Sequence, residues 1–151
     1  MRDRAYRGRA VGMLVLLGVQ FAVGMLLNLF VALPERHPGS TGGEYFSRSW
    51  QSLVWSLSLR GGWALFLHAL IGTIVAVALG VMSVAALVQR ARGWRWALGV
   101  AALFGLGAFF NGMSFVDYGE DLSSAIMAGC WLGAVAAIVV GILVNSRPRG
   151  R

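Results

Sequence analysis

One histidine interrupts a long apolar stretch of the sequence, in the run FLHALIG at residues 66–72. An imidazole in such a setting can ligate a metal, carry a proton or hydrogen-bond to a neighbouring helix. Ionisable side chains inside membrane-spanning segments are functional candidates by default. His68 is therefore the first residue to consider.

Other polar side chains are expected at the level of His68. At a rise of about 1.5 Å per residue, His68 lies roughly 9 Å from the start of its apolar stretch, and Asn28 and Asn111 lie about 8 to 9 Å from the ends of theirs. The spacing predicts one polar layer, completed by Met113, Met127 and Ser124.

This layer has a structural and a functional interpretation. In the first, slightly favoured, His68 hydrogen-bonds to Asn111 or Asn28 and fixes helix register. In the second, the layer lines an outer-leaflet pocket for a cofactor, ion or substrate. Haem or copper would use His68 with Met113, Met127 or His37, since imidazole and thioether form a known axial pair. The cofactor itself is not identified by the sequence.

An outer acidic loop is expected above the layer, formed by Asp117, Glu120 and Asp121. With His68 it could begin a proton or cation path. Helix capping by Asp121, with Glu120 in the same dipole field, is the favoured interpretation. A hydrolase built on a serine has no nucleophile motif to support it.

The composition indicates a membrane protein whose surface faces lipid: 58% of the 151 residues are hydrophobic and only 13% are charged. The net charge of +7 results from thirteen arginines and six acidic residues, and ten of the arginines lie in clusters beside apolar stretches. That distribution is typical of cytoplasmic flanks and argues against a nucleic-acid surface. The absence of lysine is a hint of a high-GC bacterial genome.

Four apolar stretches are long enough to cross a bilayer, at 11–33, 63–89, 96–116 and 122–144. Outside these stretches we expect an outer loop at 34–62 and two terminal tails, at 1–10 and 145–151. Arginines concentrate in the tails and in the 90–95 turn, whereas acids concentrate in the other loops, so both termini are expected in the cytoplasm. The prediction is an all-α antiparallel bundle in one membrane domain of the cell membrane.

The outer loop contains a further helical pattern. Five apolar residues share a face at helical spacing and predict a short helix in the outer interface: Phe46, Trp50, Leu53, Val54 and Leu57. Alternation of Trp55, Leu57 and Leu59 with serines leaves a strand as the less favoured alternative.

Small residues at every fourth position predict the faces on which helices meet, because they let backbones approach closely in lipid. The last stretch has Ala125, Gly129, Gly133, Ala137 and Gly141. The second has Ala64, Gly72, Ala76 and Gly80, with His68 on the same face.

The string FFNGMSFVDYGEDLSSAIMAG at 109–129, with LHALIG at 67–72, resembles a pattern in small four-helix prokaryotic membrane proteins. In these, an N-G-x-x-F helix end precedes an S-x-x-M-A helix start. The resemblance implies the four-helix layout and no activity.

The favoured function is that of a non-enzymatic accessory or scaffold subunit, as a homo-oligomer or within a larger membrane complex. The alternatives are a redox or ligand-binding protein that uses His68, and a small transporter or channel subunit.

Overall fold

A computed structural model describes residues 2–34, 36–40, 43–119 and 121–146. This part of the chain is helical and contains no strand. Its elements are α1 (Arg2–Phe30), α2 (Tyr45–Ser56), α3 (Trp63–Val88), α4 (Trp94–Tyr118) and α5 (Asp121–Ser146).

Four long helices coincide with the four predicted spans, and each is long and apolar enough to cross a bilayer. Their bounds differ from those of the apolar stretches. α1 begins at Arg2 within the arginine-rich tail and ends at Phe30, before the predicted 33, while α4 and α5 extend into flanking polar residues. Hydropathy locates the part of a helix that lipid covers, and backbone hydrogen bonding continues beyond it.

The long helices form an antiparallel ring in the order α1, α3, α4, α5. Glycines allow close approach between some of these helices. A Cβ atom added at Gly105 of α4 would lie 2.7 Å from Leu79 Cδ1 of α3, and one added at Gly141 of α5 would lie 2.7 Å from Ala97 Cβ of α4. These approaches are possible only because the glycines lack side chains.

The stripe on α5 is used mostly within the chain. Gly133 packs on the Phe104 ring and Gly141 on Ala97, whereas nothing lies near a Cβ added at Gly129. A second copy of the protein could therefore reach only the part of this stripe near Gly129 and Ala125. Likewise, nothing lies within 4 Å of a Cβ added at Gly80 of α3.

The packing differs between the two ends of the bundle. The end opposite α2 is filled by a continuous apolar core that includes Tyr6, Leu79, Trp94 and Ile138. At the end that carries α2, called here the α2 end, a smaller cluster forms around Leu27, Trp55 and Leu65. Between the two clusters the helices enclose space.

The helical interpretation of the outer loop is confirmed, since Tyr45–Ser56 is α2 and not a strand. Its apolar side faces outward, with Phe46 66% exposed and Trp50 65% exposed. The side that packs on α3 and α4 carries mainly hydroxyl groups. Its buried residues are Ser49, Ser52 and Ser56, together with Trp55.

We expect Gly141→Leu to destabilise the protein by about 1–3 kcal/mol, because the new side chain would overpack against the side chains of Ala97 and Trp94. Unfolding in detergent micelles by added dodecyl sulfate measures the loss. Gly129→Leu is the matched control and should leave the unfolding midpoint near that of the wild type. Equal effects at the two positions would contradict the packing described for α5.

Candidate ligand cavity

A cavity of about 370 Å³ lies between the two core clusters, and all five helices contribute to its wall. The volume is within the range of small-molecule sites. Five of the six residues predicted for a polar layer line it: His68, Asn28, Met113, Met127 and Ser124. These residues come from all four long helices and surround a single cavity.

His68 bonds to a residue that was not predicted as its partner. The amide nitrogen of Gln20 lies 3.1 Å from the His68 carbonyl oxygen, to which it donates, and 3.2 and 3.3 Å from Nδ1 and Nε2. The imidazole also lies against Gly24, where an added Cβ would come within 2.8 Å of Cε1. Contact with α1 therefore fixes the ring in the cavity wall.

The expected bonds from His68 to asparagine are not present. Asn111 donates to the carbonyl oxygen of Gly107 on its own helix, at 2.8 Å, and does not line the cavity. Asn28 lines the cavity but is exposed. Gln20 was detectable as a partner, because Gln20, Gly24 and Asn28 lie at intervals of four on one face of α1.

One polar atom in the wall has no partner. The Gln20 side-chain oxygen Oε1 is buried and forms no hydrogen bond within the described residues. The opposite amide orientation would set an oxygen against the His68 carbonyl, so the orientation with Nε2 there is the favourable one. Unpaired buried acceptors are rare in folded proteins, so this one in the cavity wall calls for an explanation.

The rest of the wall is mostly apolar, and no charged side chain lines it among the described residues. Leu17, Val75 and Ala134 form its floor above the packed core. The floor is braced by Trp131, whose indole nitrogen donates to the Leu17 carbonyl oxygen at 3.0 Å and whose ring stacks on Phe21 at 4.8 Å.

α2 covers the α2 end of the cavity with Ser52, Leu53 and Ser56. It is held there by Asp117, which lies in the last turn of α4 and is only 6% exposed. The Asp117 carboxyl group accepts from Ser49 Oγ at 3.0 Å and also from Ser52 Oγ. Sequence reasoning assigned Asp117 to an acidic loop and missed the three-and-four spacing of the serines that face it.

The loop before α2 adds further anchors. His37 stacks on Trp55 with ring centroids 4.4 Å apart, and its Nε2 lies 3.0 Å from the Val116 carbonyl oxygen. Arg48 donates from Nε to the Gly39 carbonyl oxygen at 2.8 Å. Gly39 has a φ of +98° and packs directly on Ser52, so a side chain is excluded there.

The other acidic residues lie away from this cluster. Asp121 is exposed in the first turn of α5, where its charge suits the helix dipole. Glu120 lies outside the described residues. Among the described residues, no group of three His, Cys, Asp or Glu side chains is arranged to hold a metal ion.

The chain matches no protein-family model, no curated protein and no solved structure. Its function therefore has to be inferred from the cavity and its surroundings.

We expect Asp117→Ala to loosen α2, because Ser49 and Ser52 would lose their shared acceptor. A loss of about 1.5 kcal/mol, the lower end of the range for hydrogen bonds to a charged group, would raise amide exchange across residues 45–56 about tenfold. Hydrogen–deuterium exchange with mass spectrometry measures this effect. Asp121→Ala removes an exposed carboxylate and should leave exchange in α2 unchanged; protection lost equally in both variants would contradict the role of Asp117.

Proposed function

We propose that this protein is an integral membrane protein that binds an uncharged apolar or amphiphilic molecule in the cavity of its bundle. The observation that carries the proposal is the cavity itself, since its size suits a ligand and its wall is mostly hydrocarbon. Binding alone is proposed, without a chemical step.

The arginine distribution supports an orientation with both termini in the cytoplasm, so that the α2 end faces outward. The exposed side of α2 fits this arrangement. Phe46, Trp50 and Val54 are more than half exposed, and at the end of a bundle in lipid such a face is stabilised by insertion into the bilayer interface. We include this interfacial position of α2 in the proposal.

His68 and Gln20 are the groups that would bind the polar part of the ligand. The imidazole lines the cavity, and the unpaired Oε1 of Gln20 beside it lacks a donor. A hydroxyl group could supply that donor after a small rotation of the amide, offsetting part of the roughly 1–3 kcal/mol cost of a buried unpaired acceptor. The remaining wall suits a hydrocarbon chain.

The other functions considered from the sequence have less support. The scaffold hypothesis depended on the α5 stripe, and Gly133 and Gly141 of that stripe pack against α4 of the same chain. Haem or copper ligation would use His68 with Met113 or Met127, which line the same cavity. That alternative predicts a visible absorption band in purified protein that His68→Ala removes.

A photoreactive long-chain alcohol carrying a diazirine tests the proposal in phosphatidylcholine nanodiscs. We expect saturable labelling of cavity-lining peptides, competed by excess unlabelled alcohol. Ala108→Phe fills the cavity and should reduce labelling by at least about tenfold, since overpacking by 1–3 kcal/mol opposes occupancy. Ala136→Phe, at an exposed position outside the cavity, should label like the wild type. Labelling that neither saturates nor distinguishes the two variants would refute the proposal.

The role of His68 is tested with the same probe. His68→Leu keeps the apolar volume but removes the imidazole, and we expect the affinity for the alcohol to fall about three- to tenfold. Asn111→Leu is the control, because Asn111 bonds only within α4 and does not line the cavity. Unchanged affinity in His68→Leu would remove His68 from the binding site.

A further inference from the structure

The opening of the cavity lies on one side of the bundle. The cavity-lining residues of α3 are buried or half-buried, and so are those of α4 up to Val116. The exposed lining side chains within the long helices belong to α1 and α5: Phe21, Met25, Asn28 and Ala128. The wall is therefore incomplete between these two helices.

The way in which α1 meets α5 explains this gap. The helices are joined where Trp131 contacts Leu17 and Phe21. Counted from the Phe21–Trp131 pair towards the α2 end, antiparallel packing places Met25 level with Met127, and Asn28 level with Ser124. Both members of each pair line the cavity, so the two helices flank open space there.

Other routes into the cavity are obstructed. The packed core closes the end opposite α2, with Leu79 and Ile138 fully buried. α2 covers the other end and is fixed by Asp117. The remaining route runs sideways between α1 and α5, and both of these helices are membrane-spanning candidates. This opening is continuous with the lipid-facing surface of the bundle.

We infer that the outer halves of α1 and α5 form a lateral portal through which the ligand passes directly from the lipid into the cavity. The inference rests on the proposed function. Because no charged side chain lines the described wall, the ligand is a bilayer amphiphile with one hydrocarbon chain and an uncharged, hydrogen-bonding head group.

A cleavable cross-link across the portal tests the inference. Cys130 is the only cysteine, so Cys130→Ala provides a background for the pair Asn28→Cys and Ser124→Cys, bridged by a bis-maleimide with an internal disulfide. We expect the bridge to slow labelling by diazirine alcohol added afterwards by about tenfold or more, as closure of a gate does, and reduction of the linker to restore it. Probe loaded before bridging should be retained for correspondingly longer.

Two comparisons distinguish the possible failures. The pair Tyr45→Cys and Ser114→Cys bridges α2 and α4 where their side chains meet outside the cavity, with Tyr45 Oη 2.8 Å from Ser114 Oγ, and should leave labelling rates unchanged. Met25→Cys with Met127→Cys is a second portal pair, used if the first variant does not fold. Unchanged labelling and release after bridging would overturn the portal while the binding function stands. If the unbridged protein shows no saturable labelling, both the binding function and the portal are refuted.

Discussion

The structure depends on one constraint: helices in lipid gain no hydrophobic free energy by meeting and must associate through close backbone approach. α4 meets α3 through Gly105 and α5 through Gly141, where side chains leave no room for a Cβ atom. α1 has fewer such positions. It packs tightly near Tyr6 and Leu17, but farther along its side facing α5 carries large residues. The cavity is the space that results where close approach stops.

The sequence predicted the parts of the fold that depend on periodicity. Apolar length identified the four long helices. The four-residue spacing of small residues was expected to mark helix contacts; Gly133 and Gly141 of α5 pack on α4, whereas nothing lies within 4 Å of a Cβ added at Gly129 or Gly80. The pairing of individual polar side chains was not predicted. Spacing shows which residues share a face, but the axial offset between two helices decides whether His68 lies beside Gln20 or beside Asn28. That offset is set by packing over the whole helix.

The pattern of α2 predicted an apolar face towards the bilayer interface, but it did not identify the serine face as the one that packs on the bundle. Its two faces are well separated in the sequence, and an apolar face usually packs inward in a helix on a folded protein. Here the serine face is turned inward because Asp117, at the end of α4, provides an acceptor that the hydroxyl groups can share. The information lies about seventy residues away in the chain and has no periodic signature. Tertiary contact determined the orientation.

The absence of a side chain at residue 24 determines how much of the cavity is free. Gly24 lets the imidazole of His68 lie back against α1, at a distance where a methyl group would already collide with Cε1. Any larger residue would push the ring away from α1 and into the space that it now borders. Position 24 therefore sets the free volume of the cavity through His68, and alanine or serine there would reduce the space for the proposed ligand.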